Sequence, residues 1–392
     1  MGYWSDISMF FFIVLGLYTI GVVCVVKKHE MPKSKFYKNP IVISYTLVLT
    51  ILATYRLVVE GIGGADAIQY IFFYEKCNSP SYANYPWFLH QDLLFRYTTK
   101  FLRLFSEDYH FYFWIVYSFN VFACIWFLVE LLPKKTNPIP CILFIFIYWR
   151  SMSSIRSNTA AALMMIALIM LYKQKYRKAI VIALATVFVH KMSALYFLFF
   201  PFYYFSKRVK LSGTKFAFLM FVAISFASVA QKYFLDFTDN VELNGAYRSY
   251  AEISGANSFW ENSWKIAFEQ IMLGLFMFVL KPKIEKHRAA MNEKDSVRLN
   301  LIWHICLFDM MTIPINHVMG IWRGYEYFYL PRLVMWSEIV FLFTRSMPFA
   351  LKIVSNFIVL VLFSSWMTFR FLHMWEDSAL MPYIFEPLLS FI

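Results

Sequence analysis

The chain has 392 residues, of which 60% are hydrophobic, 21% aromatic and only 16% charged, and its mean hydropathy is +0.54. Apolar runs of about 18 residues or more recur along the whole length, which excludes an ordinary water-soluble domain and points to transmembrane helices. The net charge of +13 would suit nucleic acid, but the basic residues cluster in short loops that alternate with nearly lysine-free ones. That is the distribution of a membrane protein with positive loops in the cytoplasm.

The clusters lie at Lys27–Lys38, Lys134-Lys135, Lys173–Lys178, Lys207–Lys215, Lys281–Arg298 and Arg345–Lys352. Placed inside, they orient the spans in chain order. Ser8–Val26 runs inward and Ile41–Val59 returns. No cleavable leader is evident, since Met9–Val26 is long enough to span and its basic residues follow it. Residues 60–109 form a long external segment with amphipathic pieces around Asp66–Glu75 and Asp92–Phe105. Phe111–Leu132 goes in, Ile139–Trp149 out, Ile155–Tyr172 in, Ala179–Val189 out and Ser193–Phe205 in. Phe216–Gln231 leads to a second external loop over 232–263. Trp264–Leu280, Leu299–Ile315, Gly324–Phe343 and Ile353–Phe369 complete about twelve crossings with both termini outside. The expected fold is an all-α polytopic membrane protein with transmembrane and half-membrane helices, one integral membrane domain over residues 1–392.

Two segments are too short to span. Ile139–Trp149 and Ala179–Val189 would each extend about 16 Å at 1.5 Å per residue, against a hydrocarbon core of about 30 Å. Each stops at a polar cluster, Arg150 to Arg156 in one case and His190-Lys191 in the other. Short helices at membrane depth need protein or a wet cavity around their ends. Two hairpins whose tips form a polar cavity on the outer side satisfy this. One continuous helix over Ala179–Phe205 would strand the Lys207–Lys215 cluster outside.

The candidate chemistry sits at those tips. Arg150, Arg156 and Arg323 lie at outer ends of apolar spans, where topology disfavours positive charge, and guanidinium forks suit phosphate oxygens. Internal pairing with Asp309 or Glu326 is the competing explanation. Arg332 lies deeper, with Glu338 as its expected partner. Arg56, Lys76, Arg96, Lys100, Arg103, Lys232, Arg248, Lys265 and Arg370 are further basic residues expected outside or in the membrane, many of them ordinary surface charges. His190, flanked by Lys191, would be kept neutral by nearby cations and so able to accept a proton; His304 and His317 are rivals. Asp66, after Gly63-Gly64, either caps the following helix or contacts sugar or metal. The five cysteines, Cys24, Cys77, Cys124, Cys141 and Cys306, form no close-spaced metal motif, and only Cys77 falls in an external loop.

From Arg156 to Phe202 the chain resembles the EpsG/Wzy-like family of bacterial polysaccharide polymerases. The resemblance rests on Arg156 before Ala160-Ala161-Ala162, the basic turn Lys173–Lys178, and His190-Lys191-Met192-Ser193-Ala194. Gly64-Ala65-Asp66 with Tyr70 lies upstream, and Arg323 with Tyr327-Phe328 downstream. The family commonly has Gln after the arginine, whereas Ser157 stands here.

The resemblance implies a GT-C-like glycosyltransferase in the bacterial cytoplasmic membrane, acting on the periplasmic or outer side without cofactor or metal. It would transfer a growing glycan from undecaprenyl pyrophosphate onto a lipid-linked repeat unit, building O-antigen, capsule or exopolysaccharide. Arg156 and Arg323 would clamp the donor pyrophosphate, assisted by Arg150, Lys191 and Arg332. His190 would deprotonate the acceptor hydroxyl, and Asp66, Tyr70 and Tyr327 would contact sugar. The implied partners are the lipid-linked donor and acceptor, the bilayer and a chain-length regulator of the Wzz type, with no nucleic acid. A polyprenyl-phosphate-sugar glycosyltransferase, an O-antigen ligase and a lipid-linked oligosaccharide flippase are the alternatives. A flippase commonly shows pseudo-symmetric halves, and no internal repeat is visible in this sequence.

Overall fold

The computed structural model describes residues 2–28, 38–60, 62–64, 66–79, 92–133, 135–208, 264–319, 327–378 and 383–387. Among them the regular structure is helical, and β-pairing is limited to two isolated bridges. In chain order the helices are α1 (Gly2–Lys28), α2 (Pro40–Thr54), α3 (Ala67–Lys76), α4 (Leu93–Arg103) and α5 (Tyr109–Leu131). A 3-10 turn, Ile139–Leu143, runs into α6 (Phe144–Ser151), followed by α7 (Ile155–Tyr172) and α8 (Tyr176–Val189). A second 3-10 segment, Lys191–Leu198, leads into α9 (Phe199–Arg208). Then come α10 (Trp264–Val279), α11 (Lys281–Ala289), α12 (Glu293–Met319), α13 (Tyr329–Thr344) and α14 (Phe349–Ser378).

Among the described residues, four stretches are long and apolar enough to cross a membrane: Ser8–Val26, Tyr109–Leu131, Ile155–Tyr172 and Phe349–Leu372. Pro40–Thr54, Ile139–Ser151 and Ala267–Val279 are apolar but shorter. The other expected crossings correspond to shorter or more polar helices, or fall outside the described residues, as Phe216–Gln231 and the 232–263 loop do. On α14, Phe349, Ile353, Phe357, Ile358 and Leu362 are exposed. A stripe of that size is a liability in water and natural against lipid tails.

The chain divides into two compact units, residues 1–197 with 343–392, and residues 198–342. In the first, α7 packs against α8 and α5, α2 packs against α5, and the Ile139–Leu143 turn lies against α1 and α14. Small side chains explain the close α7–α8 contact. Ala179, Ala183 and Thr186 recur at helical spacing on one face of α8 and are fully buried, and α7 offers buried Ala160, Ala161 and Ala162.

In the second unit α12 packs against α9, α10 and α11. Among the described residues, two buried ion pairs tie it together. Arg332 is bidentate to Asp309, with Nη2–Oδ1 at 2.7 Å and Nε on Oδ2, and Gln270 Nε2 donates to the same Oδ1 at 2.7 Å. Arg298 Nη2 donates to Glu338 Oε1 at 2.8 Å. The expected Arg332–Glu338 pair is therefore replaced by partners on α12. Six residues along one helix turn through about 600°, which puts Arg332 and Glu338 on different faces.

Candidate functional site

The helix interruptions fall at the two expected tips. α6 ends in overlapping turns, with Met152 N bonded to Trp149 O at 3.1 Å and Ser153 N to Arg150 O at 3.1 Å. α7 restarts at Ile155. Its first turn is secured by its own polar side chains: Asn158 Nδ2 donates to Ser154 O at 2.9 Å, and Ser157 Oγ donates to the same carbonyl at 3.2 Å. Ser157, the departure from the family pattern, thus serves the start of its own helix. Arg156, one residue earlier, keeps its side chain a quarter exposed.

Arg56 fixes this tip from outside. It was expected outside or in the membrane, and it is 1% exposed. Its Nε donates to Gly63 O at 2.7 Å, and its Nη2 to Met152 O at 2.7 Å and Tyr117 Oη at 2.9 Å. Its Nη1 bonds Ala53 O, and the guanidinium lies 5.0 Å from the Phe113 ring centroid. Gly64, at φ +117°, brings its backbone so near the tip that a Cβ there would lie 3.1 Å from Met152 O and Ser153 Cα. The Gly-Gly turn and Arg56 together hold the α6–α7 junction.

The second tip is equally defined. α8 stops at Val189 because His190 is extended (φ −155°, ψ 110°), so residues 179–205 do not form one continuous α-helix. His190 N still bonds Thr186 O at 2.8 Å, and Ser193 N bonds His190 O at 2.9 Å. Ser193 Oγ donates to Thr186 Oγ1 at 3.0 Å, and Thr186 in turn donates to Ala183 O at 2.6 Å. The serine three residues after the histidine is therefore the lock of the turn. His190 is half-buried and Lys191 exposed.

Asp92 lies beside the first of these tips. This residue precedes α4, in the N-cap position with extended backbone (φ −65°, ψ 143°), and its side chain makes no cap bond to its own helix. Its Oδ2 lies 3.4 Å from Arg156 Nη1, and the charge of Lys191 also acts on its carboxylate. Burial pushes the Asp92 carboxyl above its ordinary range, and Arg156, the Lys191 ammonium and the Lys191 N–H pull in the opposite direction. Asp92 had no place among the expected site residues, which offered Asp309 or Glu326 as partners for the tip arginines. Sequence inspection could have flagged it only as an acid at the head of an amphipathic helix.

The other expected residues distribute as follows. Arg150 is half-buried in the last turn of α6. Asp66 stands at the N-cap position of α3 but makes no side-chain cap bond. Tyr70 is buried, its ring edge-on to Phe95 of α4 at 5.6 Å. Tyr327 and Arg332 are buried in the second unit. Arg323, Glu326 and the side chain of His317 lie outside the described residues. His304 is buried, with Nδ1 2.6 Å from Asn300 O. Arg370 is also buried, its guanidinium 4.1 Å from the Phe146 ring centroid. All five cysteines are free thiols, and burial raises the Cys77 pKa, which disfavours the reactive thiolate.

Long apolar helices, lipid-suited surfaces and polar tips that interrupt them define a helical membrane protein. The family model of the EpsG family matches residues 39–385; the chain belongs to that family. This agrees with the polysaccharide-polymerase resemblance of the Arg156 and His190 segments. No curated protein and no solved structure matches the chain.

Proposed function

We propose that the protein polymerises lipid-linked oligosaccharide repeat units at the outer face of the bacterial cytoplasmic membrane. The observation that carries this reading is the α7–α8 hairpin, which packs the two helices side by side and carries Arg156 at the start of one and His190 at the end of the other. A cation for phosphate and an imidazole able to take a proton are what glycosyl transfer from a polyprenyl pyrophosphate needs.

In this mechanism the acceptor hydroxyl attacks the anomeric carbon of the donor glycan. The new carbon–oxygen bond forms as the bond to pyrophosphate breaks, and the hydroxyl proton passes to His190. The electron pair leaves with undecaprenyl pyrophosphate, whose added charge Arg156 stabilises, with Arg150 and Lys191 as further cations at the same tips. Asp66 and Tyr70 belong to the external segment that would meet the sugars. Helix α4 exposes Leu93, Tyr97 and Phe101 and carries Arg96 and Lys100. That composition suits the headgroup level, where a lipid pyrophosphate lies.

The test is a deletion strain carrying the repeat-unit pathway. Single lipid-linked repeats should accumulate on the outer leaflet, and Arg156→Ala or His190→Ala should fail to restore polymer. Accumulation on the inner leaflet would instead indicate a flippase, and normal-length polymer from a well-expressed Arg156→Ala variant would remove the assigned site. A second reading, a polyprenyl-phosphate-sugar transferase with Asp66 as base, is favoured by one observation. Asp66 holds a capping position without making the cap bond. Loss of product in Asp66→Asn with normal turnover in His190→Ala would select it.

A further inference from the structure

The second unit carries a cationic recess that the proposed reaction does not use. It lies between α11 and α12 and holds about 30 Å³, far below the roughly 300–1,000 Å³ of a pocket that encloses a small molecule. A group seated there is held from outside, with the rest of its molecule on the surface. Lys281 and Arg288 bring two positive charges to the lining, and Glu285 brings one acid. Among the described residues neither cation has an ion-pair partner: Arg288 Nη1 donates to Asn300 Oδ1 at 2.6 Å, and Lys281 makes no such bond. Their neighbours differ, since His287 and Arg298 approach the buried Glu338 carboxylate at 3.9 and 2.8 Å. His304 lines the same recess and is 5% exposed. Its Nδ1 lies 2.6 Å from Asn300 O, which only accepts, so Nδ1 carries a proton. Nε2 is buried and has no hydrogen-bond partner among the described residues. A buried polar atom left unpaired is costly, and a ligand that donates to it removes that cost.

Apolar surface adjoins the recess. Helix α10 runs through Leu280 into α11 and packs against both α11 and α12. Its Leu275, Phe276 and Val279 are exposed and fall within about 100° of one another around the helix. Trp303 is also part of the lining, a residue type enriched where membrane meets water. Residues 281–298 hold six basic and three acidic side chains, the surplus expected on the cytoplasmic side.

We propose that this recess binds the headgroup of an anionic phospholipid of the cytoplasmic leaflet. Arg288 and Lys281 meet oxygens of its phosphodiester, a headgroup hydroxyl donates to His304 Nε2, and the acyl chains lie along Leu275, Phe276 and Val279. The bound lipid ties the α11–α12 elbow to the membrane surface. The inference is independent of the polymerase reading.

The test is native mass spectrometry of the purified full-length protein in uncharged detergent. Phosphatidylglycerol, which carries both a phosphodiester and a free hydroxyl, is titrated against zwitterionic phosphatidylcholine. Wild type should bind one phosphatidylglycerol more tightly than phosphatidylcholine. Removing one cation should weaken that binding about fivefold, as in Lys281→Gln, and removing both in Lys281→Gln/Arg288→Gln about thirtyfold. Lys283→Gln/Lys286→Gln removes the same charge from exposed positions of α11 outside the recess and should lose far less. Lys281 makes no bond within the protein, so its single variant remains informative if the loss of Arg288 impairs folding. Equal affinity for the two lipids overturns the inference, as does an equal loss in the two double variants, which would mean diffuse attraction to a basic surface. Displacement of phosphatidylglycerol by equimolar inorganic phosphate would make the recess a site for the free anion and overturn the lipid assignment.

Discussion

Replacing Arg56 with methionine should loosen the candidate site without touching it. The guanidinium makes hydrogen bonds to Gly63 O, Met152 O, Tyr117 Oη and Ala53 O, all buried. A hydrogen bond to a charged group contributes about 1.5–3 kcal/mol, so four taken singly would sum to roughly 6–12 kcal/mol. Bonds from one side chain are not additive. Met152 O also keeps an alternative donor, Tyr117 Oη at 3.3 Å. Deleting one side of a buried charged network typically costs about 3–5 kcal/mol, and methionine, which fills the same slot without donors, should fall in that range. Lysine keeps the charge but not the fork, and should lose part of it. The measurement is reversible unfolding in mixed micelles titrated with a denaturing detergent, read by tryptophan fluorescence, alongside polymer formation in cells. The reasoning predicts a large loss of stability in Arg56→Met and reduced polymer even at temperatures where the protein remains folded, because the α6–α7 tip no longer has its anchor. A variant within about 1 kcal/mol of wild type would refute it, since a single ordinary hydrogen bond already accounts for that much.

Three further outcomes follow from the same structure. Asp309→Ala should destabilise the protein by about 3–5 kcal/mol by leaving Arg332 buried without its carboxylate, whereas Asp309→Leu combined with Arg332→Met should cost less than the two single changes together; a double-mutant cycle in the same unfolding assay measures this. Gly64→Val should lower both melting temperature and polymer yield, because its Cβ would lie 3.1 Å from Met152 O at a φ of +117°; unchanged polymer would mean that the tip tolerates displacement. For Asp92, burial, opposed by Arg156 and Lys191, leaves the carboxyl raised above the ordinary carboxylate range. The folded state therefore holds the proton more tightly. The stability this supplies is full below the ordinary carboxylate range and is lost as pH rises through the raised value. Asp92→Asn should flatten the stability profile across that window, and an unaltered profile would contradict the assignment.

The helix breaks were legible because they are local events. An apolar run that ends at Arg150 or at His190-Lys191 cannot continue as a membrane helix without carrying charge with it, and the structure ends α6 at Ser151 and α8 at Val189. The amphipathic pieces of the external segment were visible for the same reason, and appear as α3 and α4. The pairings were not legible, because they join residues far apart in sequence. Asp92 and Arg156 belong to different segments, and nothing around Asp92 distinguishes it from a helix cap. Arg56 was expected only as a basic residue outside or in the membrane, because its acceptors are mostly main-chain carbonyls, which no side-chain pattern announces. Glu338 was a poor guess for Arg332 on helix geometry alone, since a separation of six residues does not share a face.

Three arginines illustrate what separates scaffold from site in this protein. Arg56 is held by carbonyls of the backbone, which cannot be exchanged for a ligand without unfolding the turns that present them. Arg332 is held by Asp309 inside the second unit, bidentate and 1% exposed, with Gln270 bonded to the same carboxylate. Both charges are committed to structure. Arg156 differs in each respect. It stays a quarter exposed, and its carboxylate partner Asp92 reaches it from the external segment at 3.4 Å. Of these three, Arg156 is the one that is partly exposed and paired with a carboxylate of the external segment. That combination makes the α7 and α8 tips, rather than the deeper arginine pair, the place where the reaction is expected.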